Sequence, residues 1–249
     1  MMLWLLACGG SVAVGPPEVP ALAASVPTCP GRWVREARPE PAQPTVREEG
    51  ERVAAWDASA DRVAMVSSSR GVVVVDLDGH ERWSTNTRDG ADVRWLGDTL
   101  VVASAYLGRV EGWRDGERLW VHKLPGPVTM MGQEAALARM AVAEGVVAVP
   151  MPSHGLAVVD EAGRLRRVWR HHPGVFHAVA SGDDWVVALG TGGWGRLQGD
   201  AVVGACLPEG MRRVLRVSVA GPTVSVEGDD GVWVRQQGDE PPLLDASAW

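Results

Sequence analysis

The chain has one tyrosine, one phenylalanine and one asparagine, Asn86, against twelve tryptophans, and its three cysteines, Cys8, Cys29 and Cys206, are never adjacent. A hard cation wants six to eight oxygen ligands, so with a single asparagine a calcium site would rest on carboxylates, backbone carbonyls and water. No apolar run in the body of the chain approaches the roughly 18 to 20 residues that cross a bilayer as a helix. Arginines are scattered rather than gathered, and the net charge is −7. That balance gives no electrostatic footprint for a phosphate backbone and argues against nucleic-acid binding. The glycine-rich stretch Gly190-Thr191-Gly192-Gly193-Trp194-Gly195 lacks the Lys-Ser or Lys-Thr pair and the following helix of a phosphate cradle.

What the chain has instead is a phrase that recurs: an apolar strand, a glycine, a second apolar strand, an acidic or glycine turn, then a strand bearing tryptophan. It runs from Val63 to Trp83, from Val101 to Trp120 and from Val146 to Trp169. Trp83 and Trp120 lie 37 positions apart, Trp169 follows after 49, and Cys206 falls another 37 on. Gly71, Gly108, Gly155, Gly193 and Gly231 each open the third strand of a unit, where a tight loop or close backbone approach excludes a side chain. The longer interval is taken up by an inserted loop, Pro125 to Glu134, which contains Met130 and Met131.

A unit of about 40 residues that cannot bury its own apolar face must stack on copies of itself. The sequence therefore predicts an all-β fold, a β-propeller of about five four-stranded blades over 51–249. The first blade takes Val53–Ser59, Arg62–Ser68, Gly71–Asp78 and Glu81–Thr87, with Asp78-Gly79 as a hairpin turn; the second takes Ala91–Gly97, Leu100–Ala105, Gly108–Arg114 and Glu117–Leu124. The third runs from Leu137 to His171, the fourth from Phe176 to Pro208 and the fifth from Arg213 to Leu244. A ring must join its ends, because an open sheet edge exposes unpaired backbone groups. Residues 31–36, Gly-Arg-Trp-Val-Arg-Glu, resemble the tryptophan strands and are one candidate for the closing strand; Pro241 to Trp249 are the other.

The stretch from Gly71 to Trp83 resembles the repeat of pyrroloquinoline-quinone-type propellers, in which the tryptophan docks one blade on the next. The resemblance implies a family that contains both quinone-dependent dehydrogenases and non-enzymatic lipoproteins of the bacterial envelope. The dehydrogenases typically carry adjacent cysteines and a calcium site with amide ligands, and neither feature is present in this chain, so the non-enzymatic branch is expected and no cofactor. At the N-terminus, Leu5-Leu6-Ala7-Cys8 resembles the lipobox of bacterial lipoproteins, which implies a signal segment over 1–7, cleavage before Cys8 and lipidation of its thiol. Residues 8–50, rich in Pro, Gly and Ala, then read as an extended tether. In an exported chain Cys29 and Cys206 are able to pair; otherwise Cys206 is a small buried core residue.

The expected role is a non-catalytic, lipid-anchored monomer of the cell envelope, periplasmic or surface-facing, that binds an envelope protein or polymer and touches the membrane through its lipid alone. Its partner surface is expected on the second-to-third-strand loops, at Arg70, Tyr106, His154, Trp194, Asp229 and Asp230, with Met130 and Met131 of the insertion and His171 and His172 beside it. The alternative is a small-ligand binder or quinoprotein-like enzyme that uses the central channel, for which carboxylates or histidines converging on the channel would be the signature. His171, His172 and His177 with Asp183 or Asp184 are ligand types for zinc, but adjacent side chains of a strand point to opposite faces, and no metal site is expected. Asp76-Leu77-Asp78-Gly79 begins like a calcium loop without its later ligands and reads as a hairpin turn.

Overall fold

The computed structural model describes residues 26–37, 53–67, 69–85, 87, 89–104, 107–128, 139–170, 174–182, 184–228 and 231–235. Within them twenty strands form five separate four-stranded antiparallel sheets. The first blade is β2 (Val53–Ala58), β3 (Arg62–Ser67), β4 (Gly71–Asp76) and β5 (Glu81–Thr85); the second is β6 (Gly90–Leu96), β7 (Thr99–Ser104), β8 (Arg109–Arg114) and β9 (Glu117–Lys123). The third is β10 (Ala141–Ala143), β11 (Val146–Met151), β12 (Gly155–Asp160) and β13 (Leu165–Arg170); the fourth is β14 (His177–Ser181), β15 (Asp184–Ala188), β16 (Trp194–Gln198) and β17 (Ala201–Cys206). The fifth combines β18 (Arg216–Ala220), β19 (Thr223–Gly228) and β20 (Gly231–Arg235) with β1 (Trp33–Glu36) from the start of the chain.

That last sheet settles how the ring is joined. Trp33 pairs with Arg235 and Glu36 with Val232, so the N-terminal strand supplies the fourth strand of the final blade. Of the two closing candidates the one over 31–36 is therefore the outer strand of this sheet, and the stretch from 236 to Leu244 expected in the fifth blade, with the rest of 236–249, lies outside the described residues.

Alternating strand residues make the second, third and fourth sheets apolar on both faces, and successive sheets stack through them. Ala64, Val66, Val72 and Val74 of the first blade meet Val93, Leu100 and Val102 of the second. Val101, Ala103 and Val110 on the other face of the second meet Val147, Val149 and Ala157 of the third. The pattern repeats between the third and fourth blades and between the fourth and fifth. The seam from the fifth blade back to the first differs. The outer face of the first blade, Val63, Met65, Val73 and Val75, clusters only with its own Val53 and Trp56 among the described residues. Val217, Val219, Val224 and Val226 of the fifth blade all face the fourth, so strand alternation puts Arg216, Ser218, Thr223, Ser225 and Glu227 on the opposite face.

The tryptophans of the fourth strands are wedges, as the repeat predicts. Trp120 donates its indole N–H to the Glu161 carbonyl at 2.9 Å, in the hairpin turn of the next blade, and Trp169 does the same to Gly199 at 2.6 Å. Trp83 lies against the corresponding turn at Gly116. The repeated glycines are required by conformation as well as by space. Gly71, Gly108, Gly155, Gly193 and Gly231 all have φ between 55° and 129°. A Cβ at Gly193 would sit 2.0 Å from the carbonyl oxygen of Cys206, and one at Gly71 2.6 Å from that of Thr85. The crowding therefore comes from the end of the fourth strand in the same blade, rather than from backbones meeting at the axis.

Candidate functional site

Two regions of the ring concentrate polar groups: the loops between second and third strands, and the axis. Of the residues expected on the loops, the structure describes three. Arg70 is half-buried, and its Nη1 donates to Glu81 at 3.3 Å while the Ser67 hydroxyl accepts from its backbone N–H. His154 is exposed, with Nδ1 and the Ser153 hydroxyl 2.7 Å apart. Its ring covers Gly126, where a Cβ would meet Nδ1 at 2.2 Å, so this loop packs on the beginning of the insertion.

Trp194 is the correction. Its side chain is fully buried in the cluster between the fourth and fifth blades, and it makes an edge contact with Trp33, with ring centroids 6.2 Å apart. The glycine-rich turn Gly190–Gly193 ends one residue earlier than an exposed loop tryptophan needs, so Trp194 begins β16 opposite Cys206 and points into the core. Tyr106, Met130, Met131, His171, His172, Asp229, Asp230 and Cys8 lie outside the described residues.

Cys29 and Cys206 form a disulfide with Cα atoms 4.8 Å apart, across 177 residues of sequence. Beside it Cys29 donates its backbone N–H to the Leu207 carbonyl, and Leu207 returns the bond to Pro27, each at 2.9 Å. The segment just before the closing strand is thus tied to the outer strand of the fourth blade.

The axis is lined by the first strands. Asp92 is fully buried: its Oδ2 accepts the Met140 backbone N–H at 2.6 Å, and its Oδ1 lies 3.2 Å from Nη1 of Arg139 and 3.3 Å from Nη1 of Arg94. Arg94 donates Nε to the Met140 carbonyl at 3.0 Å and Nη1 to the Trp56 carbonyl at 3.3 Å. Arg139 donates Nη2 to the Ala54 carbonyl at 2.7 Å, from the third blade to the first. Asp57 accepts the Trp95 backbone N–H at 2.7 Å, and burial holds its carboxyl above the usual range against that bond and the nearby Arg94. His177 opens β14, and its Nδ1 accepts the Val217 N–H at 3.4 Å. Burial pushes its imidazole down to about 3, and the charges of Arg216, Arg94 and Arg139 act in the same direction, so the ring is neutral at physiological pH.

None of these axial residues figured as a candidate in the sequence, apart from His177 in the zinc set. The signal was there: Arg139, His177 and Arg216 occupy equivalent positions at the start of three first strands. His177 does not meet Asp184, because Asp184 pairs with Ser181, four residues along β14.

The hairpin at Asp76 holds the one cluster of metal-ligating types among the described residues, Asp76, Asp78 and His80. Asp76 Oδ1 accepts the backbone N–H groups of Asp78 and His80 at 3.0 and 2.9 Å, and those bonds hold its carboxyl below the usual range. Asp160 clamps the equivalent turn of the third blade, accepting from the Arg164 backbone at 2.8 Å. Recurrence at the same repeat position makes this a turn clamp, as the sequence reading has it.

No family model and no curated protein matches the sequence. Solved structures do match in shape. The structure of BBS1N in complex with ARL6DN superposes with a TM-score of 0.58 at 13% identity, over 83% of this chain and 68% of that one. The WD40 β-propeller domain of Doa1 gives 0.57 at 13%, over 75% and 64%. BamB from Moraxella catarrhalis gives 0.50 at 16%, over 74% and 69%. The chain is a β-propeller. It spans about two thirds of the length of each of these structures, and at such identities the likeness is one of fold.

Proposed function

We propose that this propeller is a lipid-anchored scaffold of a bacterial envelope, held by Cys8 and presenting one end of its ring to a protein partner. The observation that carries the export half of this reading is the Cys29–Cys206 disulfide, since such bonds form and persist in oxidising compartments and are rare in the reducing cytosol. It also lends Cys8 a separate purpose, because the other two thiols are consumed by each other. The scaffold half rests on the fold: rigid blades whose equivalent loops emerge at one end, with His154 exposed there and Arg70 ordered by Glu81. Among the structural neighbours, BBS1N is itself solved with a protein bound. Trp194 leaves the proposed contact set, being core, and the surface is carried by Arg70, Tyr106, His154, Asp229 and Asp230, with Met130, Met131, His171 and His172 alongside.

Palmitate labelling in a bacterial host tests the anchor: label is expected in the natural chain and lost in Cys8→Ser, and equal absence from both refutes it. Arg70→Glu and His154→Glu, read by co-purification against Arg166→Glu on the rim, test the loop end. Equal retention of partner in both sets of variants refutes the placement.

A further inference from the structure

The two ends of the ring differ in what they carry, and strand register assigns groups to each. Cys206 at the close of β17 pairs with Trp194 at the start of β16, while Ala201 pairs with Gln198 beside the turn at Gly199 and Asp200. The second-to-third-strand loops and the connections between blades therefore lie at one end, and the hairpin turns after the first and third strands at the other.

The N-terminal segment joins the ring at the loop end. Thr28 bridges to Leu207, Cys29 donates its backbone N–H to the Leu207 carbonyl, and the Cys29–Cys206 disulfide locks the contact. Leu207 itself adjoins the glycine turn of the fourth blade: a Cβ at Gly193 would lie 3.1 Å from its backbone nitrogen. Val26 follows Cys8 by 18 positions, a covalent reach of at most about 60 Å.

Charge separates the ends independently. Of the nine hairpin turns at the far end, eight contain one acidic residue, among them Asp61, Asp78, Asp98, Asp115, Glu161 and Asp200, and Arg164 is the single Lys or Arg. The loops and connections at the tethered end carry nine acidic residues against eight arginines. Where an arginine meets a turn carboxylate, the carboxylate is the outer partner: Asp98 and Asp115 are 82% and 80% exposed against 12% for Arg62, and Asp200 90% against 42% for Arg167. A bilayer that contains anionic lipid repels such groups within about one Debye length, roughly 8 Å at physiological salt.

We propose that the loop end of the ring faces the bilayer that holds Cys8, and that the partner taken there is a protein embedded in that same bilayer. The inference rests on the Cys8 anchor proposed above. With the turn end down, the segment from Cys8 would have to pass the height of a blade, about 16 Å along the five residues of β16, and the carboxylates would lie against lipid phosphates. With the loop end down neither happens, and Arg70 and His154 border the space beside the membrane, which a soluble envelope protein reaches only past the ring.

To test the orientation, the full chain is coupled through Cys8, its one thiol outside the disulfide, to a maleimide lipid in nanodiscs that contain phosphatidylglycerol and a nitroxide-headgroup lipid, and amide relaxation is read by NMR. Enhancement is expected to be several times larger at His154, Thr191 and Gly192 than at Gly79, Gly116, Gly163 and Gly199. Equal enhancement at the two ends, or more at the turns, overturns the orientation. The coupling is chemical, so that failure is distinct from a failure of palmitate labelling, which would show that the cell does not lipidate Cys8. A partner lost in Arg70→Glu and His154→Glu is expected to leave washed membranes only in detergent; its recovery in the soluble envelope fraction overturns its assignment to the bilayer.

Discussion

Removing the Cys29–Cys206 bond, by Cys29→Ser with Cys206→Ser so that no lone thiol remains, perturbs the one covalent link between the closing end of the chain and the fourth blade. The two cysteines are 177 residues apart. Chain-entropy theory gives −2.1 − 1.5R ln n cal/mol/K for the constraint a loop of that size places on the unfolded state, which is about 5 kcal/mol at 25 °C. Domains are stable by roughly 5 to 15 kcal/mol in all, so the loss would take a third or more of the total. The full 5 is a ceiling, because β1 remains able to pair with β20 and the unfolded chain is more compact than the theory assumes. A decrease of about 2 to 5 kcal/mol is expected in urea unfolding, with the natural chain falling to the same midpoint once a reductant is added. The polar face that the fifth blade turns away from the fourth gives the effect a location. Hydrogen exchange is expected to speed first in β1 and β20, since among the described residues no shared apolar cluster like those joining the other blades spans the seam there. A loss under about 1 kcal/mol, or a speeding of exchange spread evenly over all five blades, would show that ring closure does not depend on this link.

Three further outcomes follow from buried groups. Asp92→Ala strips Arg94, Arg139 and the Met140 N–H of their common acceptor and is expected to cost about 3 to 5 kcal/mol in chemical unfolding, the range for breaking a buried ion pair from one side; a cost near zero would mean that water replaces the carboxylate. His177 has a folded pKa of about 3 against 6.5 in the unfolded chain, so its stabilisation is complete above pH 6.5 and is lost as pH falls toward 3, at up to about 1.4 kcal/mol per pH unit. His177→Asn should flatten the stability profile between pH 6 and 4, a window above that of the depressed carboxyls Asp61, Asp76 and Asp160, and an unaltered profile would remove His177 from the account. Gly193→Ala places a methyl group 2.0 Å from the Cys206 carbonyl at a φ of 79°, and a loss of at least about 1 to 3 kcal/mol is expected in thermal unfolding, against little change for Gly199→Ala on an open turn, beyond its own positive-φ strain.

The parts of the fold legible in the sequence are those that repeat. Trp83, Trp120 and Trp169 and the five strand-opening glycines are copies of one local solution, so spacing alone exposes them: a wedge must land on the next turn, and the chain must turn left-handed where the fourth strand crowds it. Strand limits in the first two blades were readable to within a few residues for the same reason. Trp194 was misread because it breaks the repeat. The third strand of the fourth blade carries tryptophan where Val72, Val110 and Leu156 stand in the first three, and a large residue beside four glycines looks like a loop when its partner, Trp33, lies 161 positions earlier.

Closure and the axis were hard to read for a different reason, one of range. Whether Gly31–Glu36 or the last nine residues completed the final blade was a choice between two strands of similar composition, and it is decided by pairing between residues some 200 positions apart. The axial set was hard to read because Arg139, His177 and Arg216 are single polar residues at the starts of first strands, each explicable alone as a strand end facing water. Only the ring makes them neighbours. Arg139 touches Ala54, 85 positions away, because every first strand must point at the same axis. A charged residue at the start of such a strand therefore cannot escape to solvent as a strand end elsewhere would, and must be answered by a carboxylate, a carbonyl or a ligand. Asp92 answers Arg94 and Arg139 from within the core, and the carbonyls of Met140, Trp56 and Ala54 accept further N–H bonds from the same two guanidinium groups.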